Sequence, residues 1–189
     1  EWENDREDIR VEYFQMDSEE ELLQHFIEVW QKSPPHILTG WNIEGFDIPY
    51  LINRLTRLFG QKEAKRLSPF TWIKERIIRG MYGKESVAYD IYGVATMDYL
   101  QLYKKFTYAN QESFKLDHIA FVELGQRKIS YEEAGSLFTL ARKNHQKFID
   151  YNIRDVELVK KIDDKLKLIE LGITMAYDSK INFVDVFGT

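Results

Sequence analysis

The sequence predicts an α/β fold with one buried core, and three observations lead to this prediction. Segments typical of strands and of helices alternate in the first third of the 189 residues, as they do in a sheet covered by helices. Apolar residues make up 44% and charged residues 30% of the chain, which is typical of globular proteins. At about 150 residues per domain, the length favours one domain, or one with an appendage.

The alternation begins with a short strand and a helix. Residues 9–14 are rich in β-forming side chains and are predicted as a strand. Asp17 and Ser18 then open a helix, because Ser18 and Glu21 have the spacing of a capping box. The apolar stripe of this helix is predicted to contain Leu22, Leu23, Phe26, Ile27 and Trp30.

A second strand and a second helix follow the break at Pro34–Pro35. Residues 36–41 are compact and apolar and are predicted as a strand. Residues 49–59 are predicted as a helix, with Pro49 in its first turn and Gly60 after its last residue. Its buried stripe is predicted to be Tyr50, Leu51, Leu55 and Leu58.

The rest of the chain has a different pattern. Residues 72–89 contain two extended stretches around Tyr82-Gly83-Lys84, which predicts an exposed β-hairpin, and a further turn is expected at Tyr92-Gly93. The apolar tail, residues 181–189, ends abruptly, and we expect it to begin a connection to a further domain. Helices are predicted over residues 99–106, 116–124 and 144–171.

The composition excludes several classes of function. The absence of cysteine removes disulfides, thiolate metal sites and cysteine nucleophiles, and it is compatible with a reducing compartment. The four histidines are widely spread, so no histidine-based zinc site is expected. No apolar run approaches the ~18 residues of a membrane span, so we expect no membrane partner. The polar and acidic first ten residues do not resemble a signal peptide.

The charge is unevenly distributed. The net charge of −5 argues weakly against a nucleic-acid-binding protein. Residues 1–30, however, contain eleven acidic and two basic residues, whereas residues 54–84 contain nine basic and two acidic ones. We call residues 54–84 the basic stripe. It could contact phosphates, or it could be an ordinary solvated surface.

Two short segments contain the residues that could do chemistry. Asp47 follows the strand at 36–41, with Asn42 a few residues before it, and sites form at the carboxyl ends of strands in α/β sheets. Asp47 could equally be a helix N-cap. Tyr151 and Asp155 are four residues apart on the long helix, so they share one face. They could hold a divalent cation and orient a water, or they could be a surface Asp beside a partly buried Tyr.

Together these segments resemble a known pair of motifs. Asn-x-x-x-Phe-Asp after a strand, here Asn42, Phe46 and Asp47, and Tyr-x-x-x-Asp on a later helix are similar to the second and third motifs of the 3′–5′ proofreading exonuclease of family B DNA polymerases. Longer strings resemble the tailed-phage (T-even type) branch of that family, namely Leu38-Thr39-Gly40-Trp41-Asn42, Phe46-Asp47-Ile48-Pro49-Tyr50, Lys65-Arg66-Leu67-Ser68-Pro69, Met81-Tyr82-Gly83, Asp98-Tyr99-Leu100, Leu102-Tyr103-Lys104-Lys105-Phe106 and Asn144-His145-Gln146.

The resemblance implies a ribonuclease H-like 3′–5′ exonuclease fold with an inserted β-hairpin. It implies that Asp47 and Asp155 are metal ligands for Mg²⁺ or Mn²⁺ and that Tyr151 orients the attacking water. It further implies that Asn42 and Phe46 line the groove for a single-stranded DNA 3′ end. The hairpin region, with Arg79 and Lys84, is expected to contact primer-template DNA. Two cations suit phosphodiester hydrolysis because charge builds on both the attacking and the leaving oxygen.

The family's first motif, Asp-x-Glu on an apolar strand, has no counterpart in the sequence. Asp5-Arg6-Glu7 has the spacing but lies in a polar stretch. We therefore expect residues 1–180 to be a partial exonuclease domain truncated at its N-terminus, with little activity alone. The strand at 36–41 would then have an exposed edge that pairs with a second copy or with a complementary polymerase fragment. A phage-encoded chain is expected in the cytoplasm of a bacterial host.

Three alternatives stay open. His145 and Asp150 have the spacing of histidine-type exonucleases, but five residues turn a helix by about 140°, so we interpret His145 as a polar residue at a helix start. The chain could be a non-catalytic single-stranded DNA-binding module that stacks bases on Phe46, Tyr151 and Trp72. It could also be a structural domain of a polymerase whose aspartates only cap helices.

Overall fold

The structure, a computed structural model, describes residues 11–79, 85–108 and 110–187. Helices and short strands alternate through the first half, and helices occupy the second half. The helices are α1 (Glu19–Lys32), α2 (Asp47–Phe59), α3 (Gln61–Ala64), α4 (Tyr99–Phe106), α5 (Leu116–Leu124), α6 (Leu137–Lys143), α7 (His145–Leu166) and α8 (Leu168–Ser179). The strands are β1 (Ile37–Gly40), β2 (Ile73–Arg79), β3 (Glu85–Ile91) and β4 (Ala95–Asp98), and short 3₁₀ turns lie at Lys65–Leu67, Glu132–Ala134 and Phe183–Phe187.

The strands form two small sheets. β1 and β4 are parallel, with a register that runs from Ile37 opposite Ala95 to Gly40 opposite Asp98. β2 and β3 are antiparallel, as expected for the two extended stretches at 72–89. The turn predicted at Tyr82-Gly83-Lys84 lies outside the described residues. The mixed α/β character is confirmed, whereas the ribonuclease H-like arrangement and the insertion of a hairpin into it stay predictions.

The chain divides into two compact units, Asp17–Ala109 with Leu168–Thr189 and Glu1–Met16 with Asn110–Lys167. We call them the strand unit and the helical unit. The predicted boundary near residue 180 stays a prediction. In the strand unit, α1 and α2 pack with one end of the β2–β3 pair around a core of Leu23, Ile27, Ile43, Ile48, Ile52, Leu55, Ala64, Leu67, Tyr89, Ile91 and Val94.

Two local features organise the strand unit. The Ser18 hydroxyl accepts a hydrogen bond from the Glu21 N–H at 3.2 Å, which confirms the predicted start of α1. In the same unit, α8 packs against α4 and approaches Met97 of β4 closely. A Cβ at Gly172 would lie 2.7 Å from the Met97 methyl group, so a larger residue there would require the Met97 side chain to shift.

The helical unit is built from α5, α6 and α7. Gly125 ends α5 in the left-handed conformation (φ 66°), as its position after the apolar segment predicted. Asn144 caps α7 by accepting from the Lys147 N–H at 3.0 Å. The buried side chains of these three helices are Leu116, Ile119, Ala120, Leu140, Tyr151, Leu158, Val159 and Ile162.

Three predictions of local structure are wrong. Residues 11–14 form no strand, because β propensity alone does not hold an extended segment without a ladder partner. The long helix does not continue to residue 171, since Lys167 adopts the left-handed conformation (φ 55°) and α8 starts after it. In α2, which starts at residue 47, the buried face is Ile48, Ile52 and Leu55, while Tyr50 is 58% exposed.

Two further findings concern surfaces. In the described part of the chain, β1 has a ladder partner on one edge only, and pairing of its other edge with a second chain stays a prediction. No helix among the described residues is long and apolar enough to cross a bilayer.

The stripe of α1 provides a stability test, because two of its predicted members differ in burial. Ile27 is fully buried and Leu22 is 49% exposed. We expect Ile27→Ala to lower the free energy of unfolding by about 2–5 kcal/mol, because apolar packing is removed and a cavity remains. Leu22→Ala, the control on the same helix, should change it by less than about 0.5 kcal/mol. Urea unfolding measures both, and equal decreases would contradict the observed burial.

Candidate active site

The segment that follows β1 is a compact turn. The Asn42 carbonyl accepts from the N–H groups of Gly45 at 3.2 Å and Phe46 at 3.1 Å. Asn42 itself has a positive φ of 61°, which is uncommon for a residue with a side chain. A Cβ at Gly45 would lie 2.7 Å from the Asn42 Oδ1, so a larger residue there would force the Asn42 side chain to shift. We call residues 42–47 the β1–α2 turn.

A buried carboxylate contacts this turn from β4. Asp98, only 1% exposed, accepts from the Asn42 N–H at 3.1 Å and from the Glu44 N–H at 3.0 Å. It also accepts from the Leu100 N–H at 2.9 Å, which caps α4. Burial raises the pKa of Asp98, and the backbone N–H groups act in the opposite direction. Sequence reasoning gave Asp98 no role, although an Asp between a strand and a helix is a capping signal.

Asp47 is the first residue of α2 and not its cap. Phe46 occupies the N-cap position and makes no side-chain capping hydrogen bond. The alternative in which Asp47 serves as the N-cap is therefore wrong. The side chain is on the surface. Desolvation raises the pKa of Asp47, a hydrogen bond from its own backbone lowers it, and the nearby Asp98 charge raises it further.

The turn also presents aromatic and amide groups. Phe46 is 63% exposed, and its ring lies 6.1 Å from that of Tyr50 with an interplanar angle of 14°. Asn42 is exposed as well. These side chains are accessible to a ligand, which is what a groove for a flexible strand requires.

The second predicted segment lies on α7. Tyr151 is buried, with the ring of Tyr131 against it edge-on at 5.5 Å. Asp155 is half-buried one turn further along. Its Oδ1 is inaccessible to solvent and has no hydrogen-bond partner among the described residues. A buried carboxylate oxygen without a partner is costly, and a divalent cation is a ligand that would satisfy it.

Sequence reasoning missed Lys128, which contacts both of these residues. Its Nζ lies 2.6 Å from Asp155 Oδ2 and 4.7 Å from the centroid of the Tyr151 ring. Burial lowers the pKa of Lys128, but its hydrogen bonds with Asp155 and Tyr151 outweigh this and raise it. Burial raises the pKa of Asp155, while Lys128 and the Tyr151 hydroxyl act in the opposite direction.

The loop that contains Lys128 is held from two helices. On α5, Asp117 accepts from the Lys128 N–H at 2.9 Å and pairs with Arg127 at 2.7 Å. On α7, Arg154 donates to the Gln126 side chain at 3.0 Å. No sequence signal indicated Lys128, because its role depends on this loop and not on a motif.

His145 is the first residue of α7, as interpreted from the sequence. Its Nε2 lies 2.8 Å from the Tyr13 hydroxyl, and the Asp150 carboxylate accepts from Gln146 at 3.3 Å. Each side chain therefore interacts with a different neighbour, which is consistent with their poor alignment on the helix.

Part of the basic stripe is neutralised. Arg54 pairs with Glu19, Arg66 with Glu63, and Arg76 with both Glu44 and Asp90. Among the described residues, no ion pair involves Arg57, Lys62, Lys65 or Lys74. Lys84 lies outside the described residues, and Arg79 is described by its backbone alone, at the end of β2.

The described residues contain no group of three or more carboxylate or histidine side chains arranged to hold a metal. Asp47 belongs to the strand unit and Asp155 to the helical unit. Their convergence on a shared cation site stays a prediction.

The contact between Lys128 and Asp155 leads to a prediction about pH. Removing the charge in Lys128→Met should move the pKa of Asp155 further upward, as a ¹³C NMR titration of the carboxyl would measure. The pKa of Asp155 is higher in the folded state than in the unfolded chain. The contribution of Asp155 to the free energy of unfolding therefore falls as the pH rises from the unfolded-state pKa to the folded-state pKa. The variant should extend that fall to higher pH.

The control for this titration is Lys147→Met, which removes the ion pair with Glu133 in the same unit. It should leave the Asp155 titration unchanged. An Asp155 pKa that does not move in Lys128→Met would contradict the ion pair.

Comparison with known proteins gives the family. Residues 2–119 match the exonuclease domain of DNA polymerase family B. The chain is 43% identical over 178 residues to the DNA-directed DNA polymerase of Escherichia phage RB69 and 42% identical over 177 residues to that of Enterobacteria phage T4. Each match covers 94% of this chain and 19% of the polymerase.

A more distant relative is also named as a DNA polymerase. The chain is 28% identical over 162 residues to the DNA polymerase catalytic subunit of Human herpesvirus 8 type P (isolate GK18), a match covering 79% of this chain and 15% of that protein. The chain thus spans about a fifth of the length of its phage relatives. It belongs to the exonuclease-domain family of the family B DNA polymerases.

Proposed function

We propose that this chain contributes to the 3′–5′ proofreading exonuclease of a DNA-directed DNA polymerase. The reaction is hydrolysis of the 3′-terminal phosphodiester of single-stranded DNA. Family membership supports the class of reaction. The observation that carries the residue assignment is the Asp155 Oδ1, a buried oxygen without a partner in the described part of the chain, beside a buried tyrosine.

Three residues form the proposed catalytic set. Asp47 and Asp155 are the metal ligands, and Tyr151 orients the water. Mg²⁺ or Mn²⁺ held there would stabilise charge on the attacking and leaving oxygens. Lys128 holds one oxygen of Asp155 and leaves the other without a partner, so the carboxylate has one free ligand position in the described structure.

The DNA strand is proposed to lie along the β1–α2 turn. The exposed Phe46 ring offers a stacking surface, and base–aromatic stacking contributes about 1–3 kcal/mol per base. Asn42 is exposed beside it and supplies amide hydrogen-bonding groups. Arg79 and Lys84 are proposed contacts for primer-template DNA from the hairpin region.

With two of the family's four carboxylates identified in the sequence, we propose that the chain alone has little nuclease activity, because hard cations need a full oxygen shell. The partners are then the remaining polymerase domains or a complementary fragment, and the setting is the cytoplasm of a bacterial host.

A second function is favoured by a specific observation. The Trp72 and Tyr92 rings stack at 3.9 Å with an interplanar angle of 5°, and Trp72 is 54% exposed. This stacked and exposed pair supports a non-catalytic module that binds single-stranded DNA by stacking.

Iron cleavage tests the shared cation site. Fe²⁺ substitutes for Mg²⁺ and, with ascorbate and peroxide, generates hydroxyl radicals that cut the backbone near the bound ion. We expect cuts near residues 47 and 155, suppressed by excess Mn²⁺ and absent from both positions in Asp155→Asn. Mass spectrometry locates the cuts.

The control is Asp164→Asn, which changes an exposed carboxylate on the same helix that pairs with Lys160. It should leave the pattern intact. Cuts at one segment only would refute the shared site and favour the non-catalytic module.

Salt dependence tests the basic stripe. Binding of a fluorescent single-stranded oligonucleotide, followed by anisotropy, should weaken steeply with salt, because phosphate contacts release counterions. Lys62→Glu or Lys65→Glu should lower the slope of log K against log[salt] by about 0.7 for each phosphate that the side chain neutralises. Lys160→Glu, at a side chain 73% exposed in the helical unit, is the control. A flat salt response would exclude the stripe as a DNA-binding surface.

A further inference from the structure

Asp98 is unusual for its burial. Among the described residues it is the one charged side chain that is buried, at 1% exposed. Buried carboxylates are costly unless hydrogen bonds replace their hydration. The N–H groups that do so here come from two places, the β1–α2 turn and the start of α4.

The parallel pairing of β1 and β4 places Asp98 where it can reach the turn. Asp98 ends β4 and is opposite Gly40, the last residue of β1. Both strands therefore end at the same edge, and the chain leaving β1 passes the Asp98 side chain. Oδ1 accepts from Asn42 and Leu100, and Oδ2 accepts from Glu44.

The turn needs an external constraint. Asn42 is in the left-handed region, with φ 61°, and such a conformation persists only when the surroundings impose it. Asp98 holds the N–H of Asn42 and the N–H of Glu44, which fixes the peptide group before Asn42 and the one between Ile43 and Glu44. The Ile43 side chain is 8% exposed and belongs to the core of the strand unit.

We propose that Asp98 is the positioning residue of the β1–α2 turn, acting through Asn42, Phe46 and Asp47, which it holds in the single arrangement that receives the DNA 3′ end. The proposal rests on the proposed function. Asp98 touches no substrate in this scheme. Its carboxylate exchanges its own hydration for the N–H groups of the turn, so the turn and the buried charge stabilise each other.

Amide hydrogen exchange on the whole chain tests the proposal. Asp98→Asn keeps the shape of the side chain but replaces one acceptor oxygen with an NH₂ donor, so at least one turn N–H is left without its partner. We expect the amides of residues 42–44 to exchange at least tenfold faster, while those of Ile52 and Leu55 in α2 are unchanged. Binding of a single-stranded oligonucleotide should weaken at least fivefold.

The matched control is Ser18→Ala, which removes the cap of α1 in the same unit. It should lower the Tm without changing exchange at residues 42–44. A merely structural role for Asp98 would instead accelerate exchange throughout the strand unit. That result would overturn the proposal. Unchanged exchange at residues 42–44 would overturn it as well, and so would faster exchange there with unchanged oligonucleotide binding.

If Asp98→Asn does not fold, amide hydrogen exchange in the unmodified chain still tests the proposal. The N–H groups of Asn42 and Glu44 should then be protected at least tenfold relative to unstructured peptide, and absence of protection overturns the proposal. An unmodified chain with protected amides that binds no oligonucleotide would refute the proposed function, while Asp98 would still be the residue that holds the turn.

Discussion

The parallel pairing of β1 with β4 is the constraint on which the candidate site of the strand unit depends. Parallel strands must be joined by a long crossover, and here that crossover contains α2, α3 and the β2–β3 pair. The pairing brings the ends of two strands that are distant in sequence to one edge. There, a buried carboxylate from one strand meets the turn that follows the other.

In the helical unit, the carboxylate of Asp155 is held in a different way. Asp155 is on a regular helix and needs no special backbone. Its environment comes from the loop after α5, where Asp117 and Arg154 hold the segment that contains Lys128. Backbone N–H groups hydrogen-bond to both oxygens of Asp98. In Asp155, one oxygen pairs with the Lys128 ammonium group, and the other has no partner in the described structure. We propose that the first holds a conformation and the second a ligand.

Sequence reasoning located those helix ends that a local capping signal marks. The Ser18 cap, the glycine after α5 and the start of α7 at His145 all agree with the structure. It failed where a non-local partner decides the outcome. A strand at 9–14 needed a neighbour to hydrogen-bond with, and the exposed Tyr50 depends on where α2 begins. The residues missed at the site, Asp98 and Lys128, act through contacts with segments far away in the chain.

The sequence by itself determined the family, the alternation of strands and helices, and the residue types that could do chemistry, because motifs and periodicity are written in consecutive residues. Only the tertiary structure decided that Asp47 is not a cap, that Lys128 pairs with Asp155, and that Asp98 holds the β1–α2 turn. The physical reason is that burial and hydrogen bonding depend on which groups meet in space. No spacing along the chain specifies that.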